Sequence, residues 1–393
     1  MKKNIKKKIL AALCIFLSSA TLIGCSGSDK NKDTKLLDEK SDKKVKIEII
    51  TPSEKDDKDT YDAAETKKLS NIYKKETNDK YEGDIEHIAL PDNYNEKDVE
   101  KVFNGISRDK DVNVVVVSSN KPGMAEYAGK LKKKRKDILL ISANAADRDK
   151  ELIDNFDLNF TTGDPEQGEM ILELAKSLGA ERFIYFISDA DLKNSDKMET
   201  LEGIKKKAKE VGMPLEEVKI PEEGDTYAKK AFVADAIDDL IDKYGNDINI
   251  YTFDGAYDEV LASKVLNQKF YVSEFSRPNI SKELMNIYGI KSITRQKEDY
   301  VWMNTQISSL FHSIAVMDRK IGSESADAES FALNLATELG TVMKAKDVEL
   351  KKAYNSYFLE RLSFARTKVE CGFINKYRGV GNFKIVVPNQ ITY

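Results

Sequence analysis

The chain is poor in the side chains on which most site chemistries draw. Among 393 residues it has three cysteines, two histidines and one tryptophan. A zinc site needs several His or Cys ligands. His87, His312 and three dispersed cysteines do not supply them, so neither a metal nor a cofactor is expected. Cys14 and Cys25 lie near the N-terminus and only Cys371 falls in the bulk of the chain. That bulk therefore folds without an internal disulfide, and Cys371 reads as a small buried hydrophobe. No G-x-S-x-G, H-E-x-x-H or Cys–His arrangement occurs, and SSNKPG (118–123) lacks the spacing of a phosphate loop. The chain is thus not expected to be an enzyme, although its many carboxylates leave a glycosidase-type pair open. No run after residue 23 is apolar over the roughly 20 residues that a membrane-spanning helix needs.

What is present begins at the N-terminus. MKKNIKKK places five lysines before the apolar run Ile9–Ile23, the layout of an export signal. Leu22-Ile23-Gly24-Cys25 resembles a bacterial lipobox. That resemblance implies a signal peptide over 1–24, acylation of Cys25 and an exported protein anchored by lipid to the outer face of the cell membrane. Two or more acyl chains hold a protein stably where one does not. The alternative is an uncleaved apolar N-terminus with an incidental cysteine. Residues 25–43 contain almost nothing apolar and read as a flexible tether. Loss of residues 1–24 removes five lysines and moves the net charge from −4 to −9, which disfavours nucleic acid as a partner.

From residue 44, short β-rich runs alternate with longer amphipathic ones. Strands are expected at 45–50, 85–90, 113–117, 138–141, 158–161, 183–187, 217–220, 248–253 and 270–272. Continuous apolar runs such as VNVVVV and INIYTF fit strands covered by helices on both faces. In DPEQGEMILELAKSLG, Met170, Leu174 and Leu178 make one apolar face, with Asp164 as the expected N-cap, Pro165 as the first helical residue and Gly179 as the stop. Further helices are expected at 228–244, 300–317, 325–345 and 348–366, and NFKIVVPNQITY reads as a C-terminal strand. About 350 residues exceed one usual core, and the repeated strand–helix order predicts an α/β protein of two doubly wound domains.

Three segments resemble the type I periplasmic-binding fold: DLNFTTGD its first interdomain crossing, NIYTFDGAYDEVLASKVL a later strand, Asp and helix of its second domain, and YVSEFSRPN its return crossing. HIALPDNYNEKDVEKVFNGISRDKDVNVVVV, KKRKDILLISAN and DLNFTTGDPEQGEMILELAKSLGA resemble an uncharacterised family of bacterial lipoproteins, a domain-of-unknown-function group, with that fold. The resemblance covers roughly residues 45–290. It implies two Rossmann-like domains facing an interdomain cleft, followed by a helix-rich C-terminal third. The expected boundaries are 44–160 for the first domain, with a return over about 278–366, 161–275 for the second, and 367–393 for a C-terminal strand segment.

In open α/β sheets, ligands lie beyond the carboxyl ends of the strands. The loops there are rich in Ser, Asn and Asp, which hydrogen-bond hydroxyls, amines or carboxylates. Candidate ligand contacts are Ser53, Asp92, Asn93, Ser118, Ser119, Asn120 and Asn144 on one side, and Asp164, Asp189, Asp254 and Glu274 on the other. The same residue types also cap helices and close turns, and about half are expected to do only that. Tyr94, Phe275, Tyr300 and Trp302 are candidate stacking surfaces, and Arg277 a candidate carboxylate clamp. The expected function is capture of a small polar ligand for an ABC importer. Ligand sensing or scaffolding at a membrane partner is the alternative.

Overall fold

The alternation of β-branched runs and amphipathic helices resolves, in the computed structural model, into two lobes. It describes residues 41–53, 81–276, 280–291, 300–313 and 321–393. The expected signal peptide, Cys25, most of the tether and Arg277 lie outside the described residues.

The first lobe opens with β1 (Ser41–Thr51), β2 (Tyr81–Ala89), α1 (Glu96–Arg108), β3 (Val112–Ser119), α2 (Met124–Lys134), β4 (Leu139–Ala145), α3 (Asp149–Asn155) and β5 (Leu158–Thr161). These strands are all parallel, in the order β2-β1-β3-β4-β5. The valine run of β3 is buried on both faces, as a central parallel strand requires. Val115 and Val117 pack with Phe103, Met124 and Leu131 beneath α1 and α2. Helix α1 starts with a capping box formed by Asn95 and Asp98. Helix α2 has no side-chain cap of its own. Asp147, in the loop after β4, supplies one from a distance by accepting from the N–H groups of Gly123 (2.7 Å), Met124 (3.2 Å) and Ala125 (3.1 Å).

The second lobe contains α4 (Gln167–Leu178), β6 (Arg182–Ile187), α5 (Ser195–Val211), β7 (Leu215–Lys219), α6 (Thr226–Tyr244), β8 (Ile248–Thr252), α7 (Asp258–Gln268), α8 (Ile280–Ile287), α9 (Tyr300–Ser313) and β9 (Gly322–Glu324). The parallel sheet β7-β6-β8 is extended by single parallel bridges, Asn249–Tyr271 and Val272–Ile321, towards β9. The chain then supplies α10 (Ala328–Ala345), α11 (Leu350–Ala353), α12 (Ser356–Thr367), β10 (Cys371–Asn375), β11 (Phe383–Pro388) and β12 (Gln390–Thr392). Helix α10 packs on β1, β3, β4 and β5, and β11 joins the first sheet in parallel beside β5, with β10 antiparallel at the edge. Strand β12 instead pairs antiparallel with β9 in the second lobe. The chain therefore passes between lobes at 162–166, at 325–327 and at Asn389.

Several expectations change. The stretch expected to return to the first domain, 278–366, divides. Helices α8 and α9 pack in the second lobe: α8 contacts α7, Tyr288 donates to the Ala262 carbonyl, and Phe311 of α9 stacks edge-on with Tyr288 and Tyr393. Only α10 to α12 return to the first. The single expected strand NFKIVVPNQITY is two strands in two lobes, parted at Asn389 directly after Pro388 ends β11, because proline has no N–H with which to continue a ladder. The expected helix 348–366 breaks at Asn355, whose side chain caps α12. Helix α4 begins at Gln167, two residues past the expected start, because Asp164 closes a turn on the Glu166 N–H (2.9 Å) instead of capping the helix. Helix α10 has no exposed face from Phe331 to Met343: it is buried all round, with Asn334, Thr337, Glu338 and Thr341 forming a polar stripe that is itself buried.

Candidate functional site

The lobe crossings enclose a cavity of about 190 Å³. Its walls are Thr162–Asp164 from the first crossing, Gln167 of α4, Glu274–Ser276 from the end of the bridged strand, Ser281 of α8, Ser323, Glu324 and Ala326–Glu329 from β9 into α10, and Val386–Val387 of β11. Five carboxylates line it, those of Asp164, Glu274, Glu324, Asp327 and Glu329, and among the described residues no Lys, Arg or His does.

Glu274 is 5% exposed. Its Oε1 accepts the Phe275 N–H at 3.1 Å, whereas Oε2 is buried with no hydrogen-bond partner. The fully buried Ser323 hydroxyl stands beside Glu274 outside strict hydrogen-bond geometry, and it and the Glu324 N–H favour the ionised carboxylate without offsetting its burial. Burial pushes the Glu274 carboxyl up to about 8, with repulsion from Asp258 adding to it. Burial also holds Glu324 well above the usual carboxylate range, and Glu274, Asp327 and Asp164 all push it in the same direction. Removing a carboxylate from water and crowding it with like charge both favour the protonated form. Asp327 is held at the start of α10, accepting from the Glu329 and Ser330 N–H groups at 3.2 and 3.3 Å. Across the cavity wall, Asn144 donates to the Glu329 carbonyl at 3.3 Å, and its Oδ1 is buried without a partner.

Of the eleven residues predicted from sequence as ligand contacts, Asp164 and Glu274 line this cavity and Asn144 touches its wall. Ser53, Asp92, Asn93, Ser118, Ser119 and Asn120 stand with Asn144 at the carboxyl edge of the first sheet. Ser119 accepts the Ala146 N–H (3.1 Å), and Asn120 accepts the Tyr94 hydroxyl (3.4 Å) beneath the Lys121 ammonium. Asn93 and Asn144 have φ of 53° and 56°, a conformation that Asn tolerates better than most residues. Asp189 is ion-paired with Lys219 at 2.5 Å, and Asp254 caps a short 3-10 turn through the Ala256 N–H. Of the candidate aromatics, Phe275 lines the cavity, Tyr94 packs beside Asn120, and Tyr300 is buried in the core of α9. Trp302, on α9, is half-buried and does not line the cavity. His312 is exposed and contacts the Ser308 carbonyl. Cys371 is buried and free. Sequence reasoning missed Ser323, Glu324, Asp327 and Glu329. IGSESADAES read as the approach to a helix, and only its density of small and acidic residues between Ile321 and Phe331 hints at a crossing.

Two parallel α/β lobes joined by repeated crossings, with a polar cavity at those crossings, define the type I periplasmic-binding-like architecture. The chain belongs to the family described as "Protein of unknown function (DUF3798)", whose model matches residues 45–320. Its structure is similar to a candidate transcriptional regulator from Clostridium difficile 630, with 26% identity and a TM-score of 0.79 over 89% of this chain and 99% of that one. It is also similar to an ABC transporter solute-binding protein from Bradyrhizobium sp. BTAi1, with bound bis-tris (13%, 0.51, 90% and 84%). A third similar structure is a sugar ABC transporter protein from Actinomyces odontolyticus ATCC 17982 (10%, 0.55, 88% and 95%). No curated protein matches. Among the described residues, no helix is long and apolar enough to cross a membrane.

Proposed function

We propose that the protein is an extracytoplasmic, lipid-anchored solute-binding protein that captures a small polar ligand between its lobes and delivers it to an ABC importer. The observation that carries this reading is the cavity at the crossings, where buried polar atoms of Glu274 and Ser323 lack partners. Such atoms are costly unless something hydrogen-bonds them, and a bound ligand would. The polar loops at the carboxyl edge of the first sheet would complete the enclosure on closure, with Ser53, Asp92, Asn93, Ser118, Ser119, Asn120 and Asn144 facing Asp164, Asp189, Asp254 and Glu274. Neither metal, cofactor, nucleic acid nor catalysis enters the reading.

A second reading, ligand sensing without transport, is favoured by the 26% identical relative being a candidate transcriptional regulator. Both readings need a ligand. Native mass spectrometry of the full chain, before and after unfolding and refolding, is expected to show a small mass that leaves on unfolding. No such mass under any growth condition, together with a melting temperature that no small polar solute raises, would remove both.

A further inference from the structure

Building on that reading, we infer that the cavity at the crossings takes a small organic cation, a protonated or quaternary amine, and not an anionic or neutral solute. Every ionisable side chain lining it among the described residues is a carboxylate. Acidity alone would not point to a ligand, because acidic clusters often only cap helices, as Asp164 and Asp327 partly do here. The deciding atoms are Glu274 Oε2 and Ser323 Oγ, both buried and both unpartnered. One needs a donor or a cation and the other a donor or an acceptor, which an ammonium group with its attached polar chain satisfies together. A bare metal ion fits less well: among the described residues no group of three or more carboxylate, His or Cys side chains converges in metal-binding geometry. A volume of about 190 Å³ equals about six waters at roughly 30 Å³ each, which suits a compact molecule of similar heavy-atom count.

The charge balance follows from the same geometry. Without a cation, burial and mutual crowding of Glu274 and Glu324, with Asp258, Asp327 and Asp164 adding like charge, raise both carboxyls and favour their protonated forms. An entering ammonium favours the ionised carboxylates, so those protons leave to buffer as the cation binds.

The test is calorimetric titration of the full chain with choline and 1,4-diaminobutane, alongside erythritol as a neutral probe and 4-hydroxybutyrate as an anionic one. An amine is expected to bind with release of a proton, read from the dependence of the heat on buffer ionisation, and to bind more tightly at pH 8 than at pH 5.5. Glu274→Gln and Glu324→Gln, each checked for an intact melting transition, are expected to weaken amine binding by about 30-fold or more, as loss of one partner in a buried charge pair does. Binding of erythritol or 4-hydroxybutyrate without the amines would overturn the cation assignment and leave the solute-binding reading standing. So would amine binding without proton release and unaffected by both variants. A chain that binds no probe and carries no co-purifying mass overturns the cation assignment and the solute-binding reading together.

Discussion

Glu274 sets the pH behaviour of the fold. Its carboxyl titrates near 4.5 in an unfolded chain and is pushed up to about 8 by burial in the native one. Between those values the native state holds the extra proton, so stability is fullest below the lower value and is lost as pH rises through the upper one. Glu324 shifts in the same direction, as does Glu48 of β1, which burial raises to about 7. The ligand-free protein is therefore expected to melt about 5 °C or more lower at pH 8 than at pH 5, the scale of a few kcal/mol. Glu274→Gln should remove a large part of that difference. Thermal scans across this range check it, and identical slopes for the two proteins would show that Glu274 is not the source. Legibility at this scale was uneven. Glu274 was readable as a polar residue just past a strand. Its burial was not, because burial comes from β9 and α10, more than forty residues later in the chain.

Helix α10 shows how packing overrides a pattern. Its Gly340 faces β3 so closely that an added Cβ would meet Val114 Cγ1 at 2.6 Å. In an exposed helix Gly→Ala is worth about 1 kcal/mol of stability. Here the clash with a buried valine in a central strand should reverse the sign, and Gly340→Ala is expected to destabilise by about 1–3 kcal/mol. Denaturant unfolding at constant m-value measures it, and a gain in stability would mean that α10 sits further from the sheet. Element identity was legible wherever a run was long and periodic: β5 at 158–161 and the strands of both parallel sheets lie where their β-branched runs place them. The misses share one cause. Ser, Asn and Asp mark ends without saying which kind, so Asp164 read as a helix cap when it closes a turn, and Asn355 went unnoticed as a break. Helix α8, only eight residues long, gave too short a period to detect.

For the whole molecule, the lobes are visible in the alternation of strand and helix, but the assignment of late segments to lobes is not. Hydrophobic pattern reports that a segment is covered, not which sheet covers it. The anchor expected at Cys25 belongs to this scale too, since it would fix the two lobes near a bilayer without touching either core. Cys25→Ala is expected to yield a protein with intact melting behaviour that partitions to the soluble fraction. Fractionation of cells expressing both forms tests this, and unchanged retention in membranes would count against acylation there.

The last dozen residues carry a further consequence. Asn159 of β5 hydrogen-bonds the carbonyl of Asn382, 223 residues away in sequence, and β12 pairs with β9 in the other lobe only a few positions further on. During synthesis, each lobe therefore keeps an unfilled edge until residues 382–392 have emerged. Long-range pairing of this kind is slow to nucleate. A chain in which both lobes depend on so late a segment folds as one unit late in the process, and neither lobe completes its pairing early.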